Sequence, residues 1–337
     1  MPFLQAGRPK EPTKFPHLKG REQLLRPLGF TRQQAQWITL VCLHSGLFTR
    51  DQVEAFFGYA KSSANRFIQA LLRTRISHKP IASETVTDGR RICRIFGKQI
   101  YGELEIPPIR HRPETSLEVT RRRLLSLDFV LDHPELAWLP TEREKLACFE
   151  QLGIEPFMLP RRIYTGQAKG RIGYFPLKMP VAMGPEAALF VYIDPGMGTR
   201  TELDSWREAH RPLWQMLREL GWRVEVVAVA WEQELLDRAE RVMRSWVGGE
   251  LTEAGRELLH LQWAVSSADR ETVERYGGLN AALKKINKLK QVAPEPQGLG
   301  MIDDFRLWGS RRCRRTHAPL KTGEWLTQVA HSGGARY

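Results

Sequence analysis

Residues 187–231 constrain the fold more than any other stretch of this chain. The apolar run Phe190-Val191-Tyr192-Ile193 ends on an acid, Asp194, and a Pro-Gly-Met-Gly turn follows. Next comes TELDSWREAHRPLWQMLRELG, whose Leu203, Trp206, Leu213, Leu217 and Leu220 fall on or near one helical stripe. WRVEVVAVAW, residues 222–231, is apolar apart from Arg223 and Glu225 and predicts a buried strand. The segment reads strand, helix, strand. It also poses a chemical question: Asp194 either holds a metal ion or only caps a turn.

Charge narrows the classes of partner. The 337 residues carry 51 Lys and Arg against 38 Asp and Glu, a net +13, which favours a polyanion such as nucleic acid. An apolar fraction of 42% supplies a sizeable core, and the length suits about two or three domains. No stretch approaches the roughly 20 apolar residues of a membrane span. The first residues, MPFLQAGRPKEPTKFP, lack the apolar run of a secretory signal. Cys42, Cys93, Cys148 and Cys313 form no Cys-x-x-Cys pair, and Cys313 with His317 falls short of a zinc ligand set. A cytoplasmic protein is expected. No P-loop, Gly-x-Ser-x-Gly or His-Glu-x-x-His motif occurs.

The first third is punctuated by helix signals. Residues 1–29, rich in Pro, Lys and Arg, read as a flexible basic arm. Thr31-x-x-Gln34 and Thr49-x-x-Gln52 are capping boxes, the second opening a short helix that stops at Gly58. KSSANRFIQALLRTR follows with Ser62 or Ser63 as its cap, and Asp88-Gly89 then predicts a tight hairpin. Three short helices and a hairpin, over residues 30–105, resemble the winged helix-turn-helix family. The resemblance makes residues 61–73 a recognition helix. Lys61, Ser62, Ser63, Asn65 and Arg66 would meet base edges, while Phe67, Ile68, Leu71 and Leu72 pack inward. Arg90 and Arg91 would reach phosphate from the wing. A protein-docking role is the alternative for this module.

Residues 106–135 read as a Pro-rich linker and a helix bearing Arg121-Arg122-Arg123, either a solvated face or a phosphate clamp. In residues 136–248, a helix capped by Thr141 and Glu144 precedes strand-like runs at about 161–165, 171–181 and 187–194. With the following helix and strand, the order is α-βββ-α-β, which resembles the restriction-endonuclease-like core. That family holds Mg²⁺ on two or three carboxylates and uses a lysine to position or activate the attacking water. Here Leu177 follows Pro176 where an acid is expected, Tyr192 replaces a glutamate, and Asp194 stands two residues later. The resemblance thus implies a degenerate core without cofactor. If the core is active, Asp194, Lys178 and a glutamate of the first helix (Glu142, Glu144 or Glu150), of which Glu144 is preferred, would carry catalysis with Mg²⁺. A winged helix joined to such a core, with Gly196 and Thr199 after the third strand, also resembles the replication-relaxation family of plasmid and mobile-element proteins.

Residues 249–337 read as a helical, basic region. GLNAALKKINKLKQ carries Lys284, Lys285, Lys288 and Lys290, and GSRRCRRTH carries Arg311 and Arg312. Such clusters suit backbone contact without specifying sequence. The expected fold is therefore mixed, α+β or α/β and multidomain. The expected function is sequence-dependent DNA binding beside other proteins of a bacterial mobile element, with Lys61, Ser62, Ser63, Asn65, Arg66, Arg90, Arg91, Arg121, Arg122, Lys284, Lys285, Lys288, Arg311 and Arg312 as candidate contacts. An active Mg²⁺-dependent nuclease and a plain transcriptional regulator are the alternatives.

Overall fold

The computed structural model describes residues 15–87, 89–106, 116–164, 171–196, 200–247, 253–266, 269–292, 301–310 and 312. Asp88, Thr199, Arg311, Cys313, His317 and residues 107–115 of the linker lie outside them. Helix α1 (Arg32–His44) begins at the Thr31 box, where Thr31 Oγ1 accepts from Gln34 N–H at 3.2 Å and Gln34 Oε1 accepts from Thr31 N–H at 3.0 Å. Strand β1 (Leu47–Phe48), helix α2 (Arg50–Phe57) and helix α3 (Lys61–Arg73) follow. A short pair, β2 (Arg75–Ile76) and β3 (Lys79–Pro80), precedes the hairpin of β4 (Ala82–Thr87) and β5 (Arg90–Ile95). Thr87 pairs with Arg90, so the turn is as tight as Asp-Gly implied, and Gly89 takes the φ of +70° that glycine tolerates. The sheet runs β1-β5-β4.

Two expectations about this part are corrected. The basic arm is not flexible throughout: residues 16–18 and 21–28 form 3₁₀ turns, and Phe15, Leu18 and Leu25 are buried. Spaced apolar residues, rather than helical periodicity, fasten that segment to the core. The cap of α3 is Ala60, not Ser62 or Ser63, with Ala60 O accepting from Ser63 and Ala64 N–H.

After helix α4 (Lys98–Glu103) comes α5 (Leu117–Asp132), whose Ser116 cap accepts from Val119 N–H at 3.2 Å. Then follow β6 (Ala137–Trp138), α6 (Glu142–Gln151), β7 (Arg161–Tyr164), β8 (Arg171–Tyr174), β9 (Val181–Met183), β10 (Ala187–Ile193), α7 (Arg200–Glu219) and β11 (Arg223–Ala230). Helices α8 (Gln233–Met243), α9 (Glu253–Ser266), α10 (Arg270–Arg275) and α11 (Leu279–Val292) lead to β12 (Asp304–Gly309).

The central sheet runs β12-β11-β10-β9-β6. β10, β11 and β12 are parallel, and β9 is antiparallel to β10, with Phe190 opposite Val181. The run expected as one strand over 171–181 is broken: β8 pairs only with β7, and residues 175–180 turn before β9. Phe175 and Lys178 there take φ of 47° and 53°, incompatible with a strand. The C-terminal region is not wholly helical, because β12 returns to the sheet beside β11. Its pattern, DFRLWG, lacks the apolar continuity of β10 and β11.

Both faces of the sheet are covered, which explains its apolar strands. Val191, Ile193, Val227 and Val229 face α5 and the N-terminal helices in one continuous core. Phe190, Tyr192, Val226 and Ala228 face α6, α7 and α8. Thus α5 is a packed layer between the N-terminal helices and the sheet, rather than part of a linker. The fold is a mixed α/β arrangement with several small sheets. Among the described residues no helix is long and apolar enough to cross a membrane.

Candidate functional site

Helix α3 presents two unlike faces because its apolar residues recur at helical spacing. Ala64, Ile68 and Leu71 are buried, with Phe67 and Leu72 half-buried against the same core. Lys61, Ser62, Asn65, Arg66, Gln69 and Arg73 are exposed, and the helix contains no acid. Ser63 is half-buried and its Oγ accepts from Arg66 Nη2 at 3.2 Å. The result is a polar and basic stripe on a helix anchored from behind.

The hairpin separates its two arginines, since successive strand residues point to opposite faces. Arg91 stands outward, its side chain 70% exposed, and pairs with Glu84 at 2.9 Å. Arg90 turns inward and lies over the Trp231 ring, 5.1 Å from its centroid. Arg121 of α5 also approaches Trp231, at 5.4 Å. The β4–β5 hairpin is thereby clasped to the end of β11. Arg90 and Arg121, both expected as phosphate contacts, meet at this junction.

Other expected contacts are also engaged internally. Arg122 is buried and donates to Glu118 at 2.5 Å and Glu202 at 2.6 Å. Arg312 pairs with Asp132 and donates to the Asp128 carbonyl. Lys285 pairs with Glu257 and sits over Tyr276. Lys284 and Lys288 are exposed on α11.

At the carboxyl end of β10 the sequence placed a candidate metal ligand. Asp194 N–H continues the sheet by donating to Val229 O at 2.8 Å. Its Oδ1 accepts from Gly196 N–H at 2.9 Å and its Oδ2 from Arg238 Nη2 at 2.6 Å. Gly196 has φ +80°, so the turn needs glycine. Asp194 is therefore a turn cap and an ion-pair partner. Glu144, the second proposed acid, accepts from Thr141 N–H at 2.9 Å and pairs with Arg21. Lys178 lies in the turn before β9. Asp194 and Glu144 have separate engagements, and among the described residues no three His, Cys, Asp or Glu form a metal-ligand cluster. The chemistry of the donor set does not fit Mg²⁺, because arginines already supply the positive charge to these carboxylates.

A further acid, in no motif of the sequence, feels the charge of Asp194. Glu202, in the first turn of α7, has its carboxyl pushed up chiefly by burial; Arg122 opposes the shift, and Glu118 and Asp194 add to it. Tyr192 is raised by burial and by the charges of Asp194 and Glu202. The only advance signal was an acid at the start of a helix, which ordinarily indicates dipole compensation. Glu202 and Lys178 also line a cavity of about 240 Å³ walled by Phe175, Leu177, Phe190 and Trp206. Leu177, standing where the nuclease pattern has an acid, makes that wall apolar.

His210 closes the same cavity. Its Nδ1 must donate to the Trp206 carbonyl, 2.8 Å away, since a carbonyl only accepts. Burial pushes its pKa down to about 3. Between about 3 and the ordinary value near 6.5, the unfolded chain holds a proton that the folded chain lacks, so stability falls on acidification. Going from pH 7 to 5 is expected to lose about 2 kcal/mol through this residue, at ~1.36 kcal/mol per pH unit. Urea unfolding at both pH values checks this, and His210→Gln should shrink the difference by about that amount, the share of His17, which burial also pushes down to about 3, remaining. An unchanged pH dependence in the variant would remove His210 as its source.

Compared with known proteins, the chain matches no family model, no curated protein and no solved structure.

Proposed function

We propose that this protein is a sequence-dependent DNA-binding protein in which α3 reads base edges and the β10–β11 core serves as a scaffold. The observation that carries the reading is the acid-free exposed stripe of α3, Lys61, Ser62, Asn65, Arg66, Gln69 and Arg73. Asparagine and arginine are the side chains best suited to bidentate contact with adenine and guanine. A helix fits the major groove, and the net +13 of the chain favours approach to a polyanion. The internal pairing of Asp194 with Arg238, and of Glu202 with Arg122, supports a structural role for the core. The resemblance to replication-relaxation proteins suggests a setting in a bacterial mobile element, beside its other proteins.

The test begins with selection of a preferred duplex from a random library. Asn65→Ala and Arg66→Ala should each weaken binding to that duplex by about 5- to 150-fold, from ~1–3 kcal/mol of discrimination per base contact. Binding to random DNA should fall much less. Equal losses on both, measured by fluorescence anisotropy, would remove α3 as the reading element.

A further inference from the structure

We propose that the ribbon of β7 and β8 is a second nucleic-acid contact, one that enters a DNA groove and meets its phosphates. The inference rests on the DNA-binding reading above and adds a surface remote in sequence from α3. The ribbon forms its own two-stranded sheet, separate from the central one. All four residues of β7 are exposed. Ile163 is 60%, Tyr164 45% and Ile172 43% exposed, an unusual apolar display on so short an element.

Its charge points to the occupant. Its two strands carry Arg161, Arg162 and Arg171 and no acid. A second copy of this ribbon would bring like charges together. A polyanion would be attracted to it.

The register gives the two faces different chemistry. Ile163 pairs with Ile172 on one face, where Arg161 pairs with Tyr174. On the other, Tyr164 is diagonal to Gly173, which pairs with Arg162. A Cβ at Gly173 would stand 2.9 Å from Tyr164 Cε2, so glycine leaves the room in which the ring lies across the strand. The Arg162 guanidinium sits 5.7 Å from the centroid of that ring. An aromatic face and a cation are thus held side by side. A two-stranded ribbon fits the DNA major groove, where apolar side chains touch thymine methyls and arginines take phosphate.

The experiment measures binding of the full chain to a random-sequence duplex over a range of salt concentrations. Arg161→Ala/Arg162→Ala should weaken binding about tenfold and lower the log–log salt slope by about 2, at ~0.9 for each phosphate no longer neutralised. Tyr164→Ala should weaken binding with little change of slope. Both variants should keep the wild-type melting temperature and the wild-type preference for the selected duplex. If the wild type binds and neither variant changes affinity or slope, the ribbon contact is overturned while the α3 reading stands. If the variants instead dissolve a self-association seen by light scattering, with DNA binding intact, the ribbon joins copies of the chain and the proposal is likewise overturned. If the wild type binds no duplex, the α3 reading and this inference fall together.

Discussion

Asp128→Ala is expected to lower the stability of the folded chain by about 3–5 kcal/mol, the usual cost of removing one partner from a buried charged network. Asp128 is fully buried on α5. Its Oδ1 accepts from Gln52 Nε2 at 2.7 Å and its Oδ2 from Ser310 Oγ at 2.5 Å, with Arg312 Nη1 at 3.9 Å from Oδ1. One carboxylate therefore ties α2, α5 and the end of β12, elements far apart in the chain. Gln52 also closes the cap of α2, its Oε1 accepting from Thr49 N–H at 2.9 Å. Alanine would leave the buried Ser310 hydroxyl without this acceptor and Gln52 Nε2 with the Leu124 carbonyl alone, while Arg312 keeps Asp132 and the Asp128 carbonyl. Urea unfolding should show the loss, and Asp128→Asn should lose less because an acceptor oxygen remains. A loss below about 1 kcal/mol, the scale of an ordinary hydrogen bond, would mean that water takes over the acceptor's role.

The second large effect is expected at Arg122. Arg122→Ala should cost about 3 kcal/mol, because it strands the partly buried carboxylate of Glu202 while also freeing Glu118. The pH dependence identifies the cause. Burial already raises the Glu202 carboxyl, and Arg122 opposes that shift. Without Arg122 the folded-state value rises further above the unfolded one. A group raised in this way contributes stability at low pH that disappears as pH climbs through its folded value. The stability deficit of Arg122→Ala should therefore be larger at pH 8 than at pH 5. Adding Glu202→Gln should recover part of it at pH 8, since the amide removes the stranded charge. A deficit independent of pH and unrelieved by the amide would show that Arg122 acts through packing alone.

These two networks also locate the boundary between what could be read in advance and what could not. The caps at Thr31 and Thr141, the turn at residues 88–89 and the strand-helix-strand order from β10 to β11 were legible, because each depends on residues within a few positions of one another. So was the division of α3 into a buried and an exposed side, apart from its cap. For the candidate site the residue types were legible but their partners were not. A row of arginines looks the same whether it faces solvent or an acid 80 residues away, as Arg122 faces Glu202. The basic turns at residues 16–18 and 21–28 and strand β12 are not legible in the sequence for a related reason: their apolar residues have meaning only against a core assembled from distant elements. The sequence by itself determined the local elements, the apolar faces of β10 and β11, and a surplus of positive charge. Only the tertiary structure decided that Asp194 caps a turn and pairs with Arg238, that Arg90 folds inward over Trp231, and that the β7–β8 ribbon stands exposed. Burial and pairing are properties of juxtaposed segments, and chain folding, not spacing along the sequence, sets that juxtaposition.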